Sequence, residues 1–492
     1  MAETRVSRSA PENPVAQPRS SLMPITAGLC AGLVSGLLLR VRTTPDVDLW
    51  LHLRIGDLLR SGQRFSEGSD PLASLADRRY VPSQWLSQIG MSAVHETAGM
   101  TGIQVLRLLL VLALGAAVLC ACRATTGPSP ALFATALTMF GAAASWGERP
   151  QLAGMVLLAL TVALWWQASV RGVVPWAVIP TTWLWTMVHG TWVLGVALGV
   201  VLLVGGVLDG CWRGRTAASV ACVPAISVVT ALMTPLGVSA LLEPFRVSAV
   251  ARLTANEWQR PELDNPVLLV VVLSTVLAVL GLLRSTPRRW TRAITVLAAF
   301  ALAVWMVRTI AVGAIVLAPA LAHGVATLPR RSSPLSAPQG RSPRPVGPET
   351  RKTPREWPAW GLAAGLVLVL GGSHIATNDF AAPVSPRASR ALSSLPPDSV
   401  IAVDGKAVGW VQWAHRDRRP LRDLRAEVYS VPVATAYEAF QEARPGWQEY
   451  AETQGLTAVL ADRGRPLDAA LRGEPAWTVA AEDPDFRLWV HR

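Results

Sequence analysis

The chain has 492 residues, of which 51% are hydrophobic and only 16% charged. Soluble domains carry roughly 25% charged residues, and here the apolar residues gather in runs of about 20, the length that spans a bilayer. That excludes an ordinary soluble enzyme, a disordered chain and a disulfide scaffold, and leaves a polytopic membrane protein. The net charge is +12, from 45 basic and 33 acidic residues. Arginines cluster in short connections between apolar runs, which fits membrane topology and argues against nucleic-acid binding.

The chain order predicts a disordered cytoplasmic tail over 1–22 and a first span at 23–41, retained rather than cleaved as a signal peptide. A polar outer loop follows at 42–101. Further spans are expected near 102–122, 130–146, 151–169, 174–190, 191–209, 217–236, 265–283, 293–307, 308–325 and 358–376, about eleven in all. With the N-terminus inside, Arg123, Arg171, Arg213, Arg215, Arg284, Arg288, Arg289 and Arg292 all face the cytoplasm, as the positive-inside rule requires. The Pro- and Arg-rich segment 326–357 then reads as a cytoplasmic linker. The transmembrane core is 23–325, and span 358–376 carries residues 383–492 to the outer side. There the apolar runs Val400–Val403, Ala458–Leu460 and Leu488–Val490, with a helix predicted at 432–455, describe a small extracytoplasmic α/β domain. The fold class expected is thus an α-helical polytopic membrane protein with a C-terminal α/β domain. The five cysteines lie in or beside apolar spans and read as small buried apolar residues.

The unusual polar residues collect at the outer ends of the spans. Just after the first comes Asp46-Val47-Asp48-Leu49-Trp50-Leu51-His52-Leu53-Arg54. If extended, Asp46 and Asp48 point the same way and are candidate ligands for a divalent cation, Mg or Mn. If helical, Asp48 and His52 share a face. Between the third and fourth spans stands Glu148-Arg149-Pro150-Gln151, polar residues that need partners at a membrane boundary. Arg149 suits a phosphate. His189 ends the fifth span. Glu257, Trp258 and Gln259 form a polar outer loop suited to sugar hydroxyls and ring stacking. Arg308 opens the tenth span on the outer side, against the charge trend, and needs an anionic partner. In the C-terminal domain, Asp404, Trp410, Trp413, Asp423 and Tyr429 are candidates for polar and stacking contacts.

The first-loop segment PDVDLWLHLRIGDLL, with DPLAS and QWLSQ downstream, resembles a group of bacterial polytopic proteins whose pattern is close to D-x-D-x-W-W-H-L-R-x-G. ERPQL, VHGTWVLG, LMTPLG, EWQRP and a late arginine match in order, as do VDGKAVGWVQW and DLRAEVYS in the tail. Leu51 and Leu72 depart from the group's usual Trp and Phe. The group looks like membrane glycosyltransferases of the GT-C superfamily, which generally use a polyprenyl-phosphate sugar as donor. The resemblance implies an acidic catalytic residue at Asp46 or Asp48. Arg54, Arg149 and Arg308 are then the expected phosphate-binding residues. His52, Glu148, His189, Glu257, Trp258 and Gln259 are the expected substrate-binding residues. The acceptor, a glycan, lipid or protein, is unspecified, and the expected location is the bacterial cytoplasmic membrane. The alternative is a transporter, flippase or scaffold for envelope glycan assembly. Transporters place ionisable groups at mid-membrane, whereas the mid-span stretches here are nearly free of charge.

Overall fold

The computed structural model describes residues 45–63, 65, 70–284, 288–328, 365, 368–373, 375 and 380–492. The expected tail 1–22 and span 23–41 lie outside them, as do nearly all of the linker 326–357 and much of span 358–376. The described chain begins with helix α1 (Leu49–Arg60). It continues through α2 (Trp85–Arg123), α3 (Pro128–Ala142), α4 (Pro150–Arg171), α5 (Val178–Val188), α6 (Trp192–Leu208), α7 (Gly214–Leu232), α8 (Ser239–Thr254), α9 (Pro266–Arg284), α10 (Arg289–Trp305) and α11 (Ile310–Ala326). Among the described residues, α2, α4, α7, α9 and the stretch Val307–Ala326 are long and apolar enough to cross a membrane. The other expected spans that fall on described residues, 130–146, 174–190, 191–209 and 293–307, are shorter helices. α5 has 11 residues, or about 17 Å at 1.5 Å per residue, well under a hydrocarbon core. It stops because His189 takes an extended backbone.

Two features differ from the sequence reading. The stretch read as a polar loop before Glu257 folds as α8, which carries Pro244 in its interior. Residues 85–101, inside the stretch read as a polar loop, are helical and continue into the expected span 102–122 as α2, kinked where Gly99 takes φ 60. Among the cysteines, Cys122 is buried but Cys120 and Cys222 are exposed on their helices, contrary to the expectation.

The C-terminal residues form a four-stranded sheet in the order β1 (Ile401–Val403), β2 (Ala458–Asp462), β4 (Phe486–His491), β3 (Trp477–Glu482). β1 and β2 pair in parallel and the other two contacts are antiparallel. Helices α12 (Pro386–Ser393), α13 (Gly405–Ala414), α14 (Val431–Gln441), α15 (Trp447–Thr453) and α16 (Pro466–Arg472) flank it. The single helix expected at 432–455 is two. Pro445 has no N–H to continue the first, and the chain turns through Ala443 and Gly446 at positive φ.

This C-terminal unit shares its core with the first loop. α1 is buried on several sides, although it also carries His52, Arg54, Asp57 and Arg60. Leu49, Trp50 and Leu53 pack with Val408, Trp410 and Leu488, while Leu51, Ile55 and Leu58 pack with Phe65, Leu72 and Tyr429. Trp50 and Trp413 rings lie 4.7 Å apart. Trp410 and Trp413 therefore serve packing rather than an open surface. α1 lies close against α2 because Gly56 has no side chain. A Cβ there would meet the Gln88 carbonyl oxygen at 2.2 Å. Gly56→Ala should thus lower the thermal midpoint, at a cost of about 1–3 kcal/mol for overpacking. A midpoint equal to wild type would show that α1 can shift freely.

Candidate active site

Helix α1 starts at Asp48, so the Asp pair is not a strand pair. Asp46 precedes the helix and is 5% exposed. Its backbone N–H donates to Glu148 Oε2 at 3.1 Å. Its Oδ1 accepts the Asp48 N–H at 3.1 Å and the Arg149 Nε–H at 2.6 Å. Arg149 also places Nη1 3.0 Å from Asp48 Oδ2 and 3.3 Å from Glu257 Oε2. Three carboxylates thus converge on one guanidinium. Arg149 owes its position to the turn before α4, whose first residue, Pro150, needs no amide partner.

Glu257 reaches a second cation. Its Oε1 lies 2.8 Å from Arg308 Nη1. Arg308 Nη2 approaches His189 Nε2 at 3.4 Å, and its guanidinium carbon sits 5.4 Å from the centre of the Trp258 ring. His189 is held from the other side by Thr191, with Nδ1 2.8 Å from Oγ1. His52 lies one turn along α1 from Asp48, its Nδ1 3.2 Å from Gln88 Nε2.

These side chains line a cavity of ≈ 380 Å³. Asp48, His52, Arg149, His189, Glu257, Trp258 and Arg308 come from the membrane core and first loop. Asp404, Arg422, Glu427, Tyr437 and Glu438 form the C-terminal wall. Burial pushes the Asp48 carboxyl up to about 6, against the opposing pull of Arg149. Burial, with the Arg149 charge, drives His52 down to about 3, so the imidazole is neutral. Burial also raises Glu427 to about 7.

A second space of ≈ 260 Å³ lies between α2 and α4. Its wall is apolar, with Met91, Ile103, Leu106, Leu110 and Leu152, and its charged residues are Arg107, Glu148 and Arg149. Arg107 donates to Glu148 Oε1 at 2.6 Å, both side chains nearly fully buried. Arg149 lines both spaces.

Several expectations are corrected by this arrangement. The arrangement of the two aspartates does not support a divalent-cation site. Asp46 Oδ1 and Asp48 Oδ2 each lie against an N–H group of Arg149, and among the described residues no group of three or more His, Cys, Asp or Glu is placed to hold a metal ion. Arg54 does not line the cavity. It lies two residues past His52, about 200° round the helix, and its charged neighbours are Arg416 and Asp57. The Gln259 side chain donates to the Arg252 carbonyl instead, and Glu148 faces the apolar groove. Asp423 and Tyr429 hydrogen-bond each other in a buried network. Asp404 of the C-terminal wall was among the expected residues, whereas Arg107 and the wall residues Arg422, Glu427, Tyr437 and Glu438 were not anticipated. An arginine inside the run RLLLVLALG was the available signal, because a buried charge requires a partner.

No protein-family model and no curated protein matches the sequence. Solved structures do resemble the fold. AglB, the oligosaccharyltransferase of Archaeoglobus fulgidus, superposes with a TM-score of 0.54 at 13% identity, over 91% of this chain and 70% of that one. That structure holds an inhibitory peptide and a dolichol-phosphate. An A. fulgidus oligosaccharyltransferase tethered to an acceptor peptide gives 0.53 at 11% identity, over 90% and 69%. ArnT from Cupriavidus metallidurans, bound to undecaprenyl phosphate, gives 0.50 at 14% identity, over 96% and 98%. The chain shares the fold of these proteins.

Proposed function

We propose that the protein is a membrane glycosyltransferase that moves a sugar from a polyprenyl-phosphate donor to an acceptor hydroxyl. The observation that carries this reading is the double position of Arg149, in the wall of an apolar groove and of a polar cavity at once. An amphiphile with an apolar chain and an anionic head fits such a junction. The chain lies in the groove, the phosphate meets Arg149 and Arg308, and the sugar enters the cavity.

The chemistry follows from the side chains. Asp48 is cavity-facing and partly exposed, with a carboxyl poised near 6, close to where a general base works best. It takes the proton of the acceptor hydroxyl as that oxygen attacks the anomeric carbon. The new C–O bond forms while the bond from the anomeric carbon to the phosphate oxygen breaks, and the electron pair leaves on the lipid phosphate. A single displacement inverts the anomeric centre. Arg149 and Arg308 stabilise the negative charge on the leaving group. Asp46 is a positioning residue, holding Arg149 and the Asp48 backbone. Neutral His52 and His189 offer hydrogen bonds to the sugar. In this reading the cavity faces the extracytoplasmic side of a bacterial cytoplasmic membrane. The N-terminus is cytoplasmic, about eleven spans cross the bilayer, and the C-terminal unit is an extracytoplasmic domain.

The test is binding of a panel of polyprenyl-phosphate sugars to purified protein in nanodiscs. Saturable binding is expected, weakened at least about tenfold in Arg308→Gln, because a charge-assisted contact to phosphate is lost. Folded wild type that binds none of them would move the assignment to a transporter or an assembly scaffold.

A further inference from the structure

We propose that Glu257 is a resident counter-ion. It occupies the phosphate position in the donor-free protein and exchanges places with the donor phosphate on binding. The inference rests on the donor reading above and concerns how that site is regulated.

Glu257 spans the two arginines with its two oxygens, Oε1 to Arg308 at 2.8 Å and Oε2 to Arg149 at 3.3 Å. A phosphate with two free oxygens would make the same pair of contacts. Both ligands cannot hold them at once. The local charge count points the same way. Asp46, Asp48 and Glu257 carry three negative charges against two positive ones on Arg149 and Arg308. Adding an anionic phosphate to that set with every carboxylate in place would crowd like charges in a partly buried site, which is strongly unfavourable. One carboxylate must leave the arginines.

Glu257 is the one built to leave. Its side chain is 33% exposed, against 7% for Asp46 and 25% for Asp48, so its return to water costs least. Asp46 is fixed by the Asp48 N–H and by Arg149 Nε. The backbone beside Glu257 is anchored, because the Gln259 carbonyl accepts the Val307 N–H at 3.0 Å. Exchange therefore needs only rotation of the Glu257 side chain into the cavity that it lines. The arrangement also discriminates. A small free anion must displace Glu257 with nothing but its own charge. A lipid phosphate brings the burial of its tail in the apolar groove as additional driving force.

The experiment is binding of undecaprenyl phosphate to the full chain in nanodiscs, comparing wild type with Glu257→Gln and Glu257→Ala. Glutamine keeps the side chain's shape and removes its charge. Both variants should bind about tenfold more tightly than wild type, since the competing anion is gone. Inorganic phosphate, titrated alone, should likewise bind more tightly to Glu257→Gln than to wild type, because the same competing anion is gone. Equal or weaker lipid binding by folded Glu257→Gln would overturn the exchange and make Glu257 an organiser of the arginines, with the donor reading intact. No binding of the lipid by wild type and variants alike would overturn the donor reading and the exchange together.

Discussion

Asp48→Asn should lower the rate of sugar transfer by about 10³-fold, within the range attributed to a general base, while leaving binding of the lipid phosphate in place. The substitution is nearly isosteric. Arg149 keeps Asp46 and Glu257 as charged partners, so the fold and the phosphate contacts survive. The pH profile supplies a second readout. The Asp48 carboxyl is pushed up to about 6 by burial, with Arg149 pulling the other way. The base form exists only above that value. Wild-type transfer should therefore fall as pH drops through about 6 and level off above it. The residual rate of Asp48→Asn should lack that acidic limb. Two other cavity groups must be separated from it. His52, driven down to about 3, is neutral across this range and produces no limb. Glu427, raised to about 7 by burial in the C-terminal wall, is the competitor. Glu427→Gln should keep the limb near 6. If Glu427→Gln removes the limb and Asp48→Asn retains both limb and rate, the base is on the C-terminal wall and the assignment of Asp48 fails.

The distinction between Asp46 and Asp48 could not be read from the sequence, and the reason is conformational. Two residues apart on a strand, both carboxylates face one way. The chain instead turns after Asp46 and opens α1 at Asp48, so one carboxylate is buried beneath Arg149 and the other meets the cavity. The same helix turns Arg54 away from His52. What was legible were charges at the ends of apolar runs. Asp48, Arg149, His189, Glu257 and Arg308 stand out because polar groups at a membrane boundary need partners, and they partner one another from five separate connections. Glu257 and Arg308 lie 51 residues apart, and their spacing carries no signal of the contact. Periodicity also missed α8, where Pro244 interrupts the pattern, and β3, an edge strand with exposed Val479. Most of the C-terminal wall, Asp404 and Asp423 apart, was invisible for a different reason. Arg422, Glu427 and Glu438 are ordinary surface residue types, and only the docking of their unit onto the first loop brings them to the cavity.

That docking is centred on one arginine, and its removal should be the most damaging change to stability outside the membrane helices. Arg425 makes a paired contact with Asp70 of the first loop, Nη1 to Oδ2 at 2.8 Å and Nη2 to Oδ1 at 2.6 Å. Its Nε donates to Asp423 Oδ2 at 2.8 Å, and its guanidinium carbon lies 4.8 Å from the centre of the Tyr80 ring. All three charged side chains are almost completely buried. Asp70 also accepts the Leu72 and Ala73 N–H groups, and Asp423 accepts the Tyr429 hydroxyl and a Gln412 amide. Arg425→Met fills similar volume but strands two buried carboxylates, and breaking a buried ion pair from one side costs about 3–5 kcal/mol. The expected result is a large drop in thermal midpoint. Asp70→Asn combined with Arg425→Met should recover part of the loss, because one of the stranded charges is then removed. Arg425→Lys should not rescue fully, since an ammonium cannot reproduce the fork that meets Asp70 and Asp423 together. Thermal unfolding of wild type, Asp70→Asn, Arg425→Met and the double variant closes the cycle. A zero coupling energy between positions 70 and 425 would mean that the shared apolar core of α1, rather than this ion pair, holds the C-terminal unit over the cavity.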